Sequence, residues 1–237
     1  MVNFKHRSEQ EEIMDNYDGS KETLKIVLDD ITRVNKILGG NTITVDAVFR
    51  LIEENPKESY TILDMGCADG NMLRLLADSA KKQNRKFRLI GVDLNGDALD
   101  IAREASKDYP EITYYEKNIL SDDFSNLEVD IIITTLTMHH FKDADILTFM
   151  RQFIKLSSIG IVINDLQRSR LAYYLFQIFS LIFIKTKVAK IDGLISISKG
   201  FRKQDLEAFA NTLKGVSHAI KWKWAFRYVW VLRKKRL

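Results

Sequence analysis

The chain has 237 residues, of which 46% are hydrophobic and 29% are charged. This length suits a single α/β domain, and this composition excludes a disordered or fibrous protein. Lys and Arg exceed Asp and Glu by only 36 to 32, a surplus too small to indicate a nucleic-acid partner by itself.

Cysteine content and apolar segments indicate the compartment. Cys67 is the single cysteine, so no disulfide can form within the chain, and the N-terminal residues lack the apolar core of a signal peptide. The most apolar run, Leu171 to Ile184, is shorter than the roughly 20 residues that span a bilayer. We therefore predict a cytoplasmic protein without a transmembrane segment. The run itself is predicted to be a buried or substrate-facing helix, with contact at a membrane surface as the alternative.

The spacing of apolar residues changes at Pro56. Before it, spacings of three and four predict extra N-terminal helices, the first at residues 11–17. After it, short apolar runs alternate with amphipathic segments, which predicts a doubly wound, mostly parallel sheet with helices on both faces. We expect an N-terminal helical segment at residues 1–55, on the substrate side, and an α/β domain at residues 56–237.

The C-terminal segment has the period of a strand. Aromatic and apolar residues alternate with mostly polar or smaller ones from Trp222 to Leu232, and a predicted helix at residues 203–215 precedes them. We interpret these aromatic residues as the packed face of the last strands, although the basic tail leaves nucleic-acid contact as an alternative.

A glycine-rich turn carries the sharpest signal of function. Residues 61–77 read as strand, loop and helix, and Gly66 and Gly70 allow a sharp turn and close approach of a ligand to the helix N-terminus. Asn71 stands where a dinucleotide fingerprint has its last glycine, and Asp64 lies two residues before Gly66. These two details argue against a nicotinamide dinucleotide site.

Asp93 closes the next predicted strand. A carboxylate at this place can accept hydrogen bonds from both hydroxyls of a ribose. Its structural alternative is to cap the following helix, but Asn95 can serve that role. We therefore predict a nucleoside-containing ligand.

These motifs resemble those of the class I S-adenosylmethionine-dependent methyltransferases. The corresponding segments here are DMGCADG at residues 64–70, GVDL at 91–94, EKNI at 116–119 and IITTLTMHHF at 132–141. The acidic segment at 8–15, the N-x-x-L-G-G pattern at 35–40 and the stretch at 164–173 resemble most closely the small-molecule O-methyltransferase-like group found beside polyketide synthases.

The resemblance implies a seven-stranded sheet with an antiparallel C-terminal strand, and S-adenosylmethionine as cofactor with S-adenosylhomocysteine as product. Asp64 and the glycine loop would hold the methionine end, Asp93 the ribose, and Leu94, Asn118 and Ile119 the adenine. The implied cofactor residues are Asp64, Gly66, Cys67, Ala68, Gly70, Asp93, Leu94, Asn118, Ile119 and Leu136. Ala68 and Asn118 depart from the family pattern, which commonly has glycine and aspartate there.

His139 and His140 are the candidate catalytic residues. They follow the fourth predicted strand at the sheet edge where open α/β folds bind ligands, and a base is needed only if the acceptor arrives protonated. One of the pair could instead bond a backbone carbonyl. No metal ion is predicted at this site.

The segment after the fifth strand supplies candidate acceptor contacts. Asp165 and Arg168 could form a polar wall over an acidic or phenolic acceptor, or pair with each other to cap a helix, and Tyr173 suits an apolar acceptor or the core. We predict methyl transfer to an oxygen of a small, apolar or aromatic molecule, and the sequence leaves the oligomeric state open. The alternatives are a nucleic-acid methyltransferase and a non-catalytic binding protein. Residues 134–137 argue against the first, because they lack the proline motif that such enzymes often carry there.

Overall fold

The computed structural model describes residues 3–235, which form a seven-stranded sheet in the order β3-β2-β1-β4-β5-β7-β6. The strands are β1 (Ser59–Met65), β2 (Lys86–Asp93), β3 (Ile112–Glu116), β4 (Val129–Thr135), β5 (Ser157–Leu166), β6 (Val216–Lys223) and β7 (Arg227–Lys234). The helices are α1 (Lys21–Ile37), α2 (Gly40–Glu54), α3 (Asn71–Lys82), α4 (Gly96–Ala105), α5 (Asp143–Leu156), α6 (Arg170–Phe183), α7 (Lys187–Lys199) and α8 (Lys203–Thr212).

The first five strands are parallel, and β7 inserts antiparallel between β5 and β6. The carboxyl ends of β1, β2, β4 and β5 therefore meet at one edge, with the order reversing between β1 and β4. This arrangement confirms the predicted fold class. The C-terminal aromatic segment is a hairpin, because the chain turns between Lys223 and Arg227, and its second strand, β7, is the predicted antiparallel C-terminal strand.

Helices cover both faces of the sheet. On one face, β4 and β5 pack against α5 and α8 through a cluster that includes Phe153, Phe209 and Trp230. On the other, β1 packs against α2 and α3 through a cluster that includes Leu51 and Leu73. Because α2 belongs to this core, it is part of the sheet packing, and the domain boundary at residue 55 stays a prediction.

The helix predicted at residues 11–17 is wrong: the segment forms a single 3-10 turn, Ile13–Asn16. The carboxylate of Asp192 on α7 accepts hydrogen bonds from the backbone N–H groups of Ile13 and Met14 at 2.8 and 3.0 Å. These N–H groups are therefore satisfied by a distant side chain, and the segment runs across α7.

Helix α6 contains the apolar run, and the prediction that it is buried is wrong for most of its length. Only Ala172 and Ser180 of this helix are buried. The side that faces solvent and the side that faces the protein are both apolar, so periodicity gave no sign of which side would be buried. No helix within residues 3–235 is both long and apolar enough to cross a membrane.

Candidate functional site

A cavity of about 870 Å³ lies at the carboxyl edge of the sheet. Its floor consists of strand ends and the loops that follow them, and its walls come from α1, α6, α7 and the 3-10 turn near the N-terminus. Residues on the floor include Asp64, Gly66, Asp93, Asn118, Thr135, Leu136, His139 and Leu166. This volume lies within the range of small-molecule sites, about 300 to 1,000 Å³.

The glycine loop connects β1 to α3 through three left-handed residues. Gly66, Ala68 and Gly70 have φ values of 79°, 45° and 71°. A Cβ on Gly66 would overlap Thr137, and one on Gly70 would overlap Tyr114. Glycine is therefore required at both positions, whereas Ala68 adopts the left-handed conformation with a side chain.

Asp64 lies beneath this loop with its side chain 2% exposed. Within residues 3–235 its Oδ1 atom has no hydrogen-bond partner, and the residue lines the cavity. Burial, with the charges of Asp93 and Asp69, raises the pKa of Asp64 to about 8. A cationic group of a ligand would satisfy this carboxylate.

Asp93 ends β2 and braces the loop from the opposite side. Its Oδ2 atom accepts a hydrogen bond from the backbone N–H of Ala68 at 2.8 Å, and its Oδ1 atom accepts one from Asn95 at 2.9 Å. Asn95, not Asp93, caps α4, because its side chain accepts from the backbone N–H of Ala98. Asp93 keeps free lone pairs at the cavity wall.

The remaining predicted cofactor residues line the same cavity. Leu94, next to Asp93, is 66% exposed and lines the cavity. The Asn118 side chain accepts from the backbone N–H of Leu120 at 2.9 Å, which fixes the loop that carries Ile119. Leu136 has a φ of 58°, and Cys67 is buried, with burial and the charge of Asp64 raising the pKa of its thiol. A raised thiol pKa fits a packing role.

His139 forms a buried ion pair at the other end of the cavity. Its Nδ1 atom lies 2.7 Å from Oδ1 of Asp165, and its Nε2 atom faces Oε1 of Glu12 at 3.5 Å. Burial lowers the pKa of His139, but the charge and hydrogen bond of Asp165 and the contact with Glu12 outweigh it and raise the pKa to about 9. His139 is therefore an imidazolium at neutral pH.

His140 stacks beside His139 with ring centroids 4.3 Å apart, and its Nδ1 atom lies 2.7 Å from Oδ1 of Asp15. Glu12, His139 and His140 are close enough to share a metal ion, since their ligand atoms lie within 4.8 Å of one another. Lys199 already supplies positive charge here, with Nζ 3.4 Å from Oε1 of Glu12. These charges form an ion-pair network, in which Oε1 of Glu12 and Nε2 of His139 have no hydrogen-bond partner within residues 3–235. The absence of a metal stays a prediction.

The three candidate acceptor residues are not among the residues that line the cavity. Arg168 is 4% exposed and donates to the carbonyl of Gly200 and the carboxylate of Asp205, outside the cavity wall. Tyr173 packs edge-on against Phe4. Asp165 acts behind His139, as a positioning residue rather than a wall. Tyr173 does not line the cavity, because the side of α6 that lines it includes Ala172, Phe176 and Phe179.

Arg227 is a cavity residue that the sequence did not reveal. It is 2% exposed, and its Nη2 atom donates to Oδ1 of Asn35 at 2.6 Å. No acceptor within the described part of the chain bonds its Nε or Nη1 atoms. Burial lowers the pKa of Arg227 to about 10, partly offset by the charge of Asp165. A buried guanidinium with two free donors is a site for an anionic oxygen.

Glu12 and Lys199 were also missed. The acidic segment at residues 8–15 was a usable signal for Glu12. The sequence contains no such signal for Lys199 or Arg227. A lysine at the end of a helix and an arginine that alternates with aromatic residues are both expected to face solvent.

Part of the chain is similar in sequence to known proteins. Residues 62–158 match the model of a family described as "Methyltransferase domain". The chain is 30% identical over 105 residues to carboxy-S-adenosyl-L-methionine synthase of Campylobacter jejuni, a match covering 44% of the chain and 42% of that protein. It is 35% identical over 68 residues, 29% of each chain, to 2-phytyl-1,4-naphtoquinone methyltransferase of Thermosynechococcus vestitus. The chain thus spans less than half the length of these relatives.

Solved structures share the whole fold. The plantazolicin methyltransferase BpumL in complex with S-adenosylhomocysteine superposes with a TM-score of 0.70 at 16% identity, over 94% of this chain and 93% of that one. Magnesium protoporphyrin IX methyltransferase from Synechocystis PCC 6803 gives 0.58 at 14% identity, over 85% and 87%. The CurJ carbon methyltransferase gives 0.62 at 13%, over 83% and 54%. The fold is the Rossmann-like α/β fold of methyltransferases, as predicted.

Proposed function

We propose that this chain transfers a methyl group from S-adenosylmethionine to an ionised oxygen of a small, apolar or aromatic molecule. One observation carries the proposal: a single cavity is lined both by the carboxylates of Asp64 and Asp93 and by the buried guanidinium of Arg227. Bound S-adenosylmethionine would supply a methyl group on a sulfonium. The acceptor oxygen would attack the methyl carbon in line, and S-adenosylhomocysteine would leave as a neutral thioether.

The residues of the first site fit this donor. The unpartnered Oδ1 atom of Asp64 would accept a hydrogen bond from the donor ammonium, and Asp93 would accept from the ribose hydroxyls. The N–H groups at the start of α3 suit its carboxylate. Leu94 and Ile119 would enclose the adenine, and Asn118 can offer a donor and an acceptor to its edge. Cys67, Ala68 and Leu136 would contact the donor by packing.

The residues of the second site favour an anionic acceptor. Arg227 is a buried guanidinium with two free donors, whereas the charge of His139 is already paired with Asp165 and faces Glu12. Arg227 is therefore the cation that the acceptor would meet. An acceptor hydroxyl or carboxyl group placed there would ionise more readily than in water. Much of the rate would then come from holding this oxygen against the methyl group, with no base needed.

The walls of the cavity suit an apolar body on that acceptor. Phe176 and Phe179 on α6, together with Trp224 and Phe226 of the β6–β7 turn, line it. The names of the similar proteins, which refer to plantazolicin, magnesium protoporphyrin IX and a naphthoquinone, also support a small organic acceptor over a nucleic acid.

A transfer assay with an isotope-labelled methyl group tests this proposal. The acceptors would be para-hydroxybenzoate and β-naphthol, with β-naphthamide as the neutral control, and the NMR shift of the product identifies the methylated atom. We expect methyl groups on oxygen only. Arg227→Gln should raise KM for para-hydroxybenzoate by at least about tenfold, as loss of a charge-assisted bond predicts, whereas Arg233→Gln, outside the cavity, should not. Methylation of carbon or nitrogen would overturn the oxygen assignment.

A further inference from the structure

Helix α6 turns a continuous apolar stripe to solvent. The exposed fractions of Ile182, Leu181 and Ile178 are 73%, 72% and 61%. The exposed apolar side chains of this helix that share the stripe are Leu171, Tyr174, Leu175, Ile178, Leu181 and Ile182. At 100° per residue they fall within an arc of about 120° on one side. Exposed apolar patches of this kind mark interaction sites.

The opposite side of the same helix faces the cavity. The cavity is lined on this side by Ala172, Phe176 and Phe179. Ile184, the first residue after the helix, packs against Val27 of α1. A surface helix normally presents polar residues to water. Since the cavity already occupies one apolar side of α6, the stripe is a second apolar face that the described part of the chain leaves uncovered.

Charge favours a membrane as the partner. No acidic residue occurs between Asp165 and Asp192, whereas Arg170 at the start of the helix and Lys185 and Lys187 just beyond its end are exposed. Two copies pairing antiparallel through this stripe would bring the basic ends together. An anionic lipid surface instead complements both ends, and each basic residue near such a surface adds to binding.

The end of β6 and the turn that follows it carry further exposed aromatic and basic side chains. Trp222 and Trp224 are exposed, and Lys221 and Lys223 alternate with them. Tryptophan and lysine side by side are characteristic of proteins at the lipid headgroup level. Trp224 also lines the cavity, as does Leu175 of the stripe, so both lie at its rim.

We propose that the α6 stripe and the β6–β7 turn dock this protein on an anionic bilayer, with α6 lying in the interface and the cavity rim against the lipid. Helix α6 has 14 residues, too few to span a bilayer and enough to lie along one. Docking does not depend on catalysis. Its consequence, that the methyl acceptor is a lipid-soluble molecule entering from the membrane, rests on the proposed function.

Vesicle flotation tests the docking. Wild-type protein should float with vesicles of phosphatidylcholine and phosphatidylglycerol, and much less with phosphatidylcholine alone. The double variant Ile178→Ser/Ile182→Ser should lower the partition coefficient by at least about tenfold, about 1.4 kcal/mol. The matched variant Ile26→Ser/Ile37→Ser changes exposed isoleucines of α1 and should bind as wild type does. Equal loss in both variants would overturn the assignment to α6.

The lysines and the competing partner provide further outcomes. Lys185→Gln/Lys187→Gln should weaken binding to the anionic vesicles by about tenfold and reduce its salt dependence. Absence of flotation, or flotation unchanged by the α6 variant, would overturn the proposal. The proposal would also be overturned if the wild-type protein is a dimer in analytical ultracentrifugation, and the α6 variant dissociates this dimer without changing vesicle binding. Calorimetry with S-adenosylmethionine on the same samples shows separately whether the donor site functions.

Discussion

Asp64 makes the stability of this protein depend on pH in a specific direction. Its pKa is raised to about 8 by burial and by the charges of Asp93 and Asp69. In an unfolded chain an aspartate ionises at about pH 4. Between these values the folded state keeps a proton that the unfolded state has lost, so the free energy of unfolding falls as pH rises through this window.

The size of the effect follows from the width of the window. Each pH unit within it costs up to about 1.4 kcal/mol, so this group alone should remove about 2 kcal/mol between about pH 6 and pH 8. Asparagine has the same shape and no charge, so Asp64→Asn should remove this slope. Urea denaturation of wild type, Asp64→Asn and the exposed control Asp97→Asn across this range measures it. A stability difference between Asp64→Asn and wild type that is constant with pH would refute the reasoning.

Ligand binding should report the same carboxyl group. At about pH 7 Asp64 is mostly protonated, so a ligand ammonium that pairs with it should displace close to one proton. Calorimetric titration with S-adenosylmethionine in buffers of different ionisation enthalpy counts that proton. Asp64→Asn should bind the donor at least about tenfold more weakly and release no proton. Proton release that persists in the variant would assign it to another group.

Three further predictions concern the same cavity. Asp93→Ala should weaken S-adenosylmethionine binding by more than about tenfold in calorimetry, while Asp97→Ala leaves it unchanged; equal affinities would remove Asp93 from the site. The pKa of His139 is raised to about 9, so its imidazole should titrate near pH 9 by NMR. The stability that its pair with Asp165 contributes is complete below about pH 6.5 and is lost as pH rises through about 9. An NMR midpoint near 6.5 would contradict this. Gly70→Ala should destabilise by at least about 1 kcal/mol in urea denaturation, because φ is 71° there; wild-type stability would show that the loop relaxes freely.

The donor side of the site could be predicted because its signals are local in sequence. Gly66 and Gly70 both have the left-handed backbone that only glycine adopts easily, and Asn95 caps α4, which leaves Asp93 at the cavity wall. The parallel sheet with helices on both faces also follows from the alternation of strands and helices. Each of these features depends on a few consecutive residues, so a single sequence contains them.

The acceptor side could not be predicted, because long-range contacts assemble it. Glu12 meets His139 across 127 residues of sequence, and Arg227 bonds Asn35 across 192. The sequence indicated Arg168 as an acceptor contact more strongly than Arg227, but the guanidinium of Arg168 donates to Asp205. Helix α6 shows a related limit: its cavity face and its exposed face are both apolar, so periodicity does not distinguish them.

The central claim is that the cavity between β1, β2 and β4 binds S-adenosylmethionine. Calorimetric titration of the purified protein with S-adenosylmethionine, S-adenosylhomocysteine and NADH tests it most directly. We expect both sulfur compounds to bind in the micromolar range and NADH not to bind. Binding of NADH, or failure of both sulfur compounds to bind, would contradict the assignment of Asp64 and Asp93 and leave only the fold established.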